Sequence, residues 1–471
     1  MRSDSRVHEG QRACCALAAV LTLAGVALIG TPATAEQELW SRRYDGPGNG
    51  DDAAYSIAVS TDGATVFVTG RSTGSTGSLE YATLAYDADT GTRLWTSRYH
   101  GNADGNDVAT ALEVSPDGTK VFVTGTSNGS RGTDYATLAY SATTGDTLWT
   151  SRYHGRFGYD AATSIDVSPD GGTVYVTGWS DGSAGTEYAT VAYDATAGTK
   201  LWVKRFEGPY DRGANVATAV IASPDSATVL VTGYSYRATN TGDFATVAYR
   251  SATGAKLWTR RYNGPGRYSE DDAYALAVSP DGTTAVVTGE SWGPAYASDV
   301  VTVAYDIATG TRRWTRRYDA GSEGGGLGLS VTVGSSDAAY VTGYDPGSTE
   351  YGAVTFAYDV VTGSSLWRRV YDGPPGGGAV GRSLALSPDG TTLFVTGSSF
   401  SGTSNHFVTI AYDAISGARR WIRHYDAAIA QNTRDTALSI AVSPDGARVF
   451  VTGLSSGLAG DDDYATVAYP S

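Results

Sequence analysis

The sequence predicts an all-β chain that folds as an eight-bladed β-propeller of four-stranded antiparallel blades. The tripeptide Val-Thr-Gly recurs at intervals of 53 to 56 residues and begins at Val68, Val123, Val176, Val231, Val287, Val341, Val395 and Val451. Each interval holds four segments with strand patterning, and none shows a helical period of useful length. Repeats of this length and patterning are typical of propeller blades.

The second repeat shows the four predicted strands in order. "TALEV" at 110–114 alternates small or polar residues with apolar ones, and "SPDG" at 115–118 has the proline and glycine of a type I hairpin turn. The β-branched and aromatic run "KVFVTG" at 120–125 predicts the second strand. After a variable Gly/Ser loop, "YATLAY" (135–140) and "LWTSRYHG" (148–155) predict the third and fourth strands.

The two ends of the repeat region predict how the ring closes. The last repeat stops at "DYATVAYPS", without its tryptophan strand, whereas "EQELWSRRYDG" near residue 36 is a tryptophan strand with no repeat before it. Joined, they complete an eighth blade, in which the N-terminal strand is the outer strand. An unclosed stack would leave an exposed strand edge, which natural sheets avoid.

Comparison of the repeats with one another predicts contacts between the third and fourth strands. Five blades carry an acid and an arginine 18 residues apart: Glu80/Arg98, Asp134/Arg152, Glu187/Arg205, Asp243/Arg261 and Asp299/Arg317. The closing blade would pair Asp463 with Arg43. Both charges are lost together in blade 6 (Gly352/Val370), and both become histidine in blade 7 (His406/His424). We therefore expect six cross-strand salt bridges, each worth at most about 1 kcal/mol if exposed.

Residues 1–35 are predicted to be a secretory signal peptide, which leaves 36–471 as the propeller. A leader with three arginines precedes the apolar run "ACCALAAVLTLAGVALIG", and "TPATA" ends in a small-x-small cleavage pattern. A single membrane anchor is the alternative, but the apolar run is short for a span. Both cysteines, Cys14 and Cys15, lie in this leader. The mature chain is expected to be secreted or periplasmic, with no disulfide.

The acidic composition restricts the expected partners. The formal net charge is −15, which argues against binding to nucleic acid or to an anionic membrane surface. We expect a monomer with no membrane attachment after cleavage. An extracellular protein or a polysaccharide is the expected kind of partner.

A second recurring motif, A-x-D-x-x-x-G-x-x-x-W, spans the third and fourth strands, as in "AYDADTGTRLW" (85–95). It resembles the tryptophan-docking motif of the eight-bladed propellers of pyrroloquinoline quinone (PQQ) dehydrogenases. The resemblance implies that each tryptophan packs on the alanine of the neighbouring blade's third strand and that the glycine relaxes the turn. The docking residues would be Trp40, Trp95, Trp149, Trp202, Trp258, Trp314, Trp367 and Trp421. The segment 271–289 is also similar to the bacterial SBBP propeller repeats.

The resemblance implies the propeller fold, but the residues that hold PQQ in the quinone enzymes are not recognisable in this sequence. The quinone enzymes hold PQQ with an adjacent Cys-Cys disulfide, stack it on a channel tryptophan and bind Ca²⁺ with Glu, Asn and Asp. This chain has no cysteine after residue 15, and Trp179 and Trp292, outside the docking positions, follow Val-Thr-Gly. PQQ is therefore not expected, although Ca²⁺ remains possible. The same fold also carries scaffolds without quinone, such as the barrel-assembly propeller lipoprotein of Gram-negative outer membranes.

A ring of carboxylates is the first candidate site. The start of the first strand carries Asp52, Asp107, Asp160, Asp271 and Asp435, with Asn215, Gly326 and Ala379 in the other blades. Five carboxylates on the face that usually carries a propeller's ligand could bind a cation or a polar ligand. The alternative is that each aspartate caps backbone N–H groups of its own turn.

The pair His406 and His424 is the second candidate site, for a metal ion or as a pH sensor. Two imidazoles are too few ligands for a site by themselves, and replacement of one polar pair by another is the alternative. His154 follows "RY" at a position that is usually acidic, so a solvated loop is expected there. Because blades 6 and 7 lose both the salt bridge and the ring aspartate, they are the expected place for a ligand or partner.

Three functions follow from these observations. The first is an exported, non-catalytic propeller that binds a partner or polymer on its loop face. The second is a PQQ- and Ca²⁺-dependent oxidoreductase. The third is a glycan-cleaving or lactone-cleaving enzyme, which only the ring of acids favours.

Overall fold

Eight antiparallel four-stranded sheets make up the fold in the computed structural model. The structure describes residues 38–101, 105–209, 213–237, 241–266, 270–293, 297–319, 325–346, 351–402, 404–426, 433–457 and 460–471, and these contain 32 strands. Among them no helix is long and apolar enough to span a membrane. The predicted all-β propeller is confirmed. The predicted signal peptide, with Cys14 and Cys15, lies outside the described residues.

Blades 1 to 4 follow the repeats in chain order. Blade 1 contains β2 (Ala53–Val59), β3 (Thr65–Thr73), β4 (Leu79–Asp87) and β5 (Arg93–Tyr99). Blade 2 contains β6 (Asp107–Val114), β7 (Lys120–Gly129), β8 (Gly132–Ser141) and β9 (Thr147–Tyr153). Blade 3 contains β10 (Asp160–Val167), β11 (Thr173–Asp181), β12 (Thr186–Asp194) and β13 (Lys200–Phe206). Blade 4 contains β14 (Asn215–Ala222), β15 (Thr228–Arg237), β16 (Thr241–Arg250) and β17 (Lys256–Tyr262).

Blades 5 to 8 continue in the same way. Blade 5 contains β18 (Asp271–Val278), β19 (Thr284–Trp292), β20 (Ser298–Asp306) and β21 (Arg312–Tyr318). Blade 6 contains β22 (Leu327–Val333), β23 (Ala338–Asp345), β24 (Gly352–Asp359) and β25 (Ser365–Tyr371). Blade 7 contains β26 (Gly378–Leu386), β27 (Thr392–Ser401), β28 (Ser404–Asp413) and β29 (Arg419–Tyr425). Blade 8 contains β30 (Thr436–Val442), β31 (Arg448–Ser456), β32 (Asp462–Pro470) and the N-terminal β1 (Trp40–Tyr44).

The N-terminal strand closes the ring, as predicted. Strand β1 pairs antiparallel with β32, with Trp40 opposite Ala468 and Tyr44 opposite Tyr464. The first strand of each blade contacts the first strand of the next, and β30 contacts β2, which completes the circle. Tyr464 donates a hydrogen bond to the Ala82 carbonyl of blade 1 at 3.1 Å, the same link that Tyr81 makes to Ala136 of blade 2.

The hydrophobic core lies between neighbouring blades, in eight clusters. One cluster joins Phe67 and Ala85 of blade 1 to Leu112 and Val123 of blade 2. The second and third strands are the most buried because both of their faces pack on other blades, which explains why they read as nearly continuous apolar runs. Each blade therefore depends on its neighbours for its stability.

The docking tryptophans reach from one blade to the turn of the next. Among the described residues, seven of them donate an indole N–H to a carbonyl there, as Trp258 does to Ile307 at 2.8 Å. The motif glycine lies under the indole ring: Gly310 has φ +69°, and a Cβ atom there would lie 2.6 Å from Cδ2 of Trp258. The glycine thus supplies a left-handed turn residue and the space for the ring.

The role expected for the motif alanine is wrong. Ala85 and Trp95 are opposite each other on adjacent strands of the same blade, and the other copies have the same register. The alanine therefore does not receive the tryptophan of a neighbouring blade. The alanine lies opposite the tryptophan on the adjacent strand of the same sheet. The neighbouring blade contributes the turn that contains the motif glycine.

All six predicted salt bridges are present. Arg43–Asp463, Arg98–Glu80, Arg152–Asp134 and Arg261–Asp243 have N···O distances of 2.7–2.8 Å, and Arg205–Glu187 and Arg317–Asp299 are also paired. These pairs are partly buried rather than exposed. Arg98 also donates to Tyr44 of blade 8 at 2.6 Å, so the bridge links neighbouring blades as well as strands.

Substitution of a motif glycine tests the docking geometry. We expect Gly310→Ala to destabilise the fold by about 2–4 kcal/mol, because a left-handed alanine costs about 1–2 kcal/mol and the clash with Trp258 adds to this. Gly171→Ala is the matched control, since Gly171 has φ +72° but its Cβ would meet only Pro116 at 3.8 Å. Calorimetric unfolding of both variants measures the difference; equal losses would show that the indole does not need the glycine.

Candidate functional site

The five aspartates of the predicted ring are completely buried and bind backbone of their own blades. Asp107 accepts hydrogen bonds from Gly101 N at 2.7 Å and Asn128 N at 3.0 Å. Asp435 accepts them from Ser455 Oγ at 2.6 Å and Ser456 N at 3.0 Å. Asp52, Asp107 and Asp435 therefore join the first strand or the loop before it to the end of the second strand. The other two, Asp160 and Asp271, accept hydrogen bonds from Gly155 N and Gly264 N of that loop.

Asn215 shows what this position requires. Its Oδ1 accepts a hydrogen bond from Ser235, and its Nδ2 donates to carbonyls of Thr186 and Glu207. A neutral amide can therefore hold the same loops. Burial raises the pKa of Asp52 and Asp160. These contacts are those of the capping alternative, and cation binding by the ring stays a prediction.

The described ligand atoms near His406 come from carboxylates. Potential ligand atoms of His406, Asp426 and Asp435 lie within 4.8 Å of one another, and His406 Nδ1 is 3.5 Å from Asp426 Oδ2. The other ring nitrogen, Nε2, is 3.0 Å from Ser401 Oγ. Burial and the neighbouring charge of His406 lower the pKa of His424. The structure therefore groups His406 with two aspartates, and His424, which is opposite Val408, is not part of this group.

An equivalent group lies between blades 2 and 3. His154 Nδ1 is 2.8 Å from Asp134 Oδ1 and 3.9 Å from Asp160 Oδ2. Sequence analysis expected only a solvated loop at His154. Asp134 is also bound by Arg152, so its charge is already neutralised by a fixed cation. In the acidic group Asp45, Asp461 and Asp463, the carboxylate of Asp463 is likewise paired with Arg43.

A different group stands out between blades 4 and 5. Asp272 on β18 lies directly opposite Glu290 on β19. Seven register-equivalent pairs contain no second pair of like charges: Ala53/Arg71, Val108/Thr126, Ala161/Trp179, Val216/Tyr234, Leu327/Tyr344, Val380/Ser398 and Thr436/Leu454. Like charges directly opposite each other destabilise a sheet. Blade 5 therefore carries an unfavourable pair that the fold does not require.

Aromatic side chains surround these two carboxylates. The Tyr274 hydroxyl donates to Glu290 Oε1 at 2.5 Å. Tyr234 and Tyr236 of blade 4 pack edge to face with ring centroids 5.5 Å apart. We call Tyr234, Tyr236, Asp272, Tyr274, Glu290 and Trp292 the blade 4–5 cluster. It lies on the loop face, where first strands begin and second strands end.

Asp272 is the least satisfied member of the blade 4–5 cluster. Its side chain belongs to a residue that is 9% exposed, and its Oδ1 is buried without a hydrogen-bond partner among the described residues. Burial, followed by the charges of Glu290 and Glu270, raises the pKa of Asp272 to about 7. Burial also raises the pKa of Glu290. Buried, perturbed carboxylates of this kind are typical of functional sites.

Of this cluster, only Trp292 is distinctive in the sequence by itself, whereas the lost salt bridges and ring aspartates favoured blades 6 and 7. The signal for the cluster lies in a comparison of cross-strand neighbours on the first and second strands of the repeats. That comparison would have isolated Asp272 and Glu290, because no other repeat has two acids at these positions.

A second carboxylate pair lies between the first strands of blades 2 and 3. Burial and the charge of Asp166 raise the pKa of Glu113 to about 8. Burial raises the pKa of Asp166 to about 7, although its Oδ2 accepts a hydrogen bond from Ala222 N of blade 4 at 2.6 Å. Other blades carry Ala58, Ile221, Ala277, Thr332, Ala385 and Ala441 at this position.

Comparison with known proteins supports the fold and identifies a family model. A family model described as outer membrane protein assembly factor BamB, named PQQ_2, matches residues 80–350. No curated protein matches the chain significantly.

Solved structures that resemble the chain are propellers of different functions. Sqt1 from Chaetomium thermophilum has a TM-score of 0.59 at 13% identity, covering 93% of this chain and 98% of Sqt1. The C-terminal WD40 domain of Sif2 has 0.56 at 13%, covering 93% and 99%. Quinohemoprotein alcohol dehydrogenase from Comamonas testosteroni has 0.56 at 14%, covering 92% of this chain and 76% of the enzyme. At these identities the likeness shows the fold alone.

The raised pKa of Glu113 predicts how stability depends on pH. Between its unfolded pKa of about 4.3 and its folded pKa of about 8, the folded state binds the extra proton, so stability falls as pH rises through this window. We expect Glu113→Gln to remove this loss and to stabilise the fold by about 2 kcal/mol at pH 9, with a smaller difference at pH 5. Thermal unfolding at both pH values measures it, with exposed Glu38→Gln as control; equal pH profiles for Glu113→Gln and wild type would contradict the assignment.

Proposed function

From the premise that this chain belongs to the PQQ_2 family, described as outer membrane protein assembly factor BamB, we propose that it is an exported, non-catalytic propeller that binds a partner through the blade 4–5 cluster. The observation that carries the proposal is the cross-strand pair of Asp272 and Glu290. Most other blades have apolar or polar uncharged residues at both positions, so the fold does not require two opposed acids there. A ligand that interacts with both carboxylates would explain why blade 5 has them.

The predicted leader supports a role outside the cytoplasm. Residues 1–35 have the charged start, apolar run and cleavage pattern of a signal peptide. An extracellular protein or polysaccharide is therefore the partner class that we propose, with the propeller acting as a monomer. Blades 6 and 7 lack the corresponding carboxylate pair, so the blade 4–5 cluster is the better supported binding surface.

The carboxylate pair argues for binding rather than for hydrolysis of a glycan or lactone. Glycoside hydrolases separate the pKa values of their two carboxyl groups, so that one is a proton donor and the other is ionised. Here burial raises the pKa of both Asp272 and Glu290. The environment of the pair therefore disfavours, on balance, the ionisation of either carboxyl group, whereas the nucleophile of a glycoside hydrolase must be ionised.

The same residues do not fit PQQ. The quinone carries carboxylates of its own, and the groups that act on Asp272 are the acidic side chains of Glu290, Glu270 and Asp271. An anionic cofactor would add repulsion to a site that already holds unfavourable charge. The blade 4–5 cluster therefore does not favour the quinone-dependent alternative.

A retention experiment tests the proposed function. The chain 36–471 is immobilised and exposed to the extracellular fraction of its source culture, beside the variant Asp272→Asn/Glu290→Gln. We expect a partner that binds the wild-type chain and is lost from this variant, because the carboxylates that contact it are gone. Asp89→Asn/Asp146→Asn is the matched control, since it removes two exposed carboxylates from turns on the opposite face, one of them paired with Arg448.

Two results would contradict the proposal. If wild type and Asp272→Asn/Glu290→Gln retained a partner equally, the binding surface would have to lie elsewhere on the ring. Reduction of an artificial electron acceptor by the purified chain with PQQ, Ca²⁺ and an alcohol or sugar would replace the scaffold with an oxidoreductase.

A further inference from the structure

Resting on the proposed function, we propose that the blade 4–5 cluster binds an organic cation, an alkylammonium group such as that at the end of a lysine side chain. Two features of the cluster favour this chemistry over others. It brings together carboxylates that form no ion pair with another residue described by the structure, and it surrounds them with aromatic side chains.

Among the described residues, the charges that act on Asp272 are all negative. The acidic side chains that act on it are Asp271 and Glu270 beside it on the chain and Glu290 on β19; the other titratable groups that face it are Tyr234, Tyr236, Tyr274 and Tyr188. By contrast, the third-strand acids are bound by fixed arginines, as Asp134 is by Arg152 in blade 2 and Asp243 is by Arg261 in blade 4. A bound cation would neutralise the acidic pair as these arginines do elsewhere.

The buried carboxylate oxygen indicates where the cation would lie. Asp272 Oδ1 has no hydrogen-bond partner among the described residues and faces Gly242 and Tyr236 of blade 4. A Cβ atom at Gly242 would lie 2.9 Å from this oxygen and 3.4 Å from the Tyr236 ring. Only a residue without a side chain fits between Asp272 and Tyr236 at this point, so Gly242 allows the two blades to pack closely here. A cation would approach the carboxyl of Asp272 beside this contact, from the loop face.

The aromatic rings distinguish an organic cation from a metal ion. Ca²⁺ takes six to eight oxygen ligands, and transition metals prefer imidazole or thiolate. The described members of the cluster offer two carboxylates and the Tyr274 hydroxyl as oxygen ligands, and Tyr234, Tyr236 and Trp292 contribute aromatic rings. Rings of this kind attract ammonium groups through cation–π interactions. A neutral sugar would stack on them but would leave the opposed charges uncompensated.

Titration calorimetry with small probes tests the proposal. The probe for a free amine is n-butylammonium, with 1-butanol as its neutral counterpart; the probe for a protein side chain is Nα-acetyl-lysine amide, with Nα-acetyl-norleucine amide as counterpart. We expect each amine to bind wild type at least ten times more tightly than its counterpart does. Tighter binding of the lysine probe than of n-butylammonium identifies a protein side chain as the source, and the reverse identifies a small free amine.

Variants separate the site from the fold. Asp272→Asn/Glu290→Gln is expected to weaken amine binding at least tenfold while raising the midpoint of thermal unfolding, because it removes repulsion. Trp292→Leu is a second variant that keeps both carboxylates and loses a ring, and it is expected to weaken binding severalfold. Asp89→Asn/Asp146→Asn is expected to bind the amines as wild type does.

The pH dependence gives an independent readout. An alkylammonium stays protonated up to pH 10, whereas the carboxyl of Asp272, with a pKa of about 7, is mostly protonated at pH 6 and mostly ionised at pH 8. Affinity for n-butylammonium is therefore expected to rise about tenfold from pH 6 to pH 8, and this rise should disappear in Asp272→Asn/Glu290→Gln.

Several results would overturn the inference. Absence of saturable amine binding, equal binding of 1-butanol, or competition by Ca²⁺ with loss of Ca²⁺ binding in Asp272→Asn/Glu290→Gln would each do so, the last by replacing the organic cation with a metal ion. If the partner is lost from this variant although no amine binds wild type, only the ligand class is wrong. If amines bind but the variant keeps the partner, the proposed function fails and the cation site remains.

Discussion

The ring depends on an indole that crosses from each blade to the next. Trp258 places its ring on the glycine of the neighbouring turn and its N–H on a carbonyl of that turn, and neither contact is available unless the turn has no side chain at that point. Arg260 reinforces the joint by donating to the Gly310 carbonyl at 2.7 Å. Because no blade can bury its own faces alone, this repeated joint determines the spacing at which eight sheets close into a circle.

A ring held together in this way tolerates blades whose residues differ from the common repeat pattern, and these differences indicate where a functional constraint acts. Blade 6 replaces the salt bridge with Gly352 and Val370, and the fold remains intact because the tryptophan joint and the interblade core persist. Loss of a stabilising contact can be drift. The opposed acids Asp272 and Glu290 are a different case, since they add an unfavourable interaction that nothing in the fold demands. The packing of the rest of the ring offsets the repulsion between these two carboxylates. Binding of a ligand would explain why blade 5 has this unfavourable pair.

Much of the fold could be predicted from the repeats alone, because internal copies report contacts. The pairing of Asp463 with Arg43 followed from the other blades and correctly placed the N-terminal strand in blade 8. The tryptophan contact was harder to predict. Sequence spacing links Ala85 to Trp95, but whether two residues meet within a blade or between blades depends on the strand register and on where the indole points.

The partners of buried polar side chains were the hardest to predict. A buried aspartate such as Asp107 resembles a metal ligand in the sequence, because the backbone N–H groups that surround it are known only from the structure. The pairing of Asp272 with Glu290 was not predicted, because a single acidic residue is not distinctive in an acidic chain until its cross-strand neighbour is identified.

The central claim is that the blade 4–5 cluster holds a cation between its carboxylates and its rings, and a crystal structure with n-butylammonium at pH 8 tests it most directly. The account predicts the ammonium nitrogen about 3 Å from carboxylate oxygens of Asp272 and Glu290 and within about 6 Å of the ring centroids of Tyr236 or Trp292. An amine bound instead at the His154 or His406 groups, or a metal ion between Asp272 and Glu290, would contradict it.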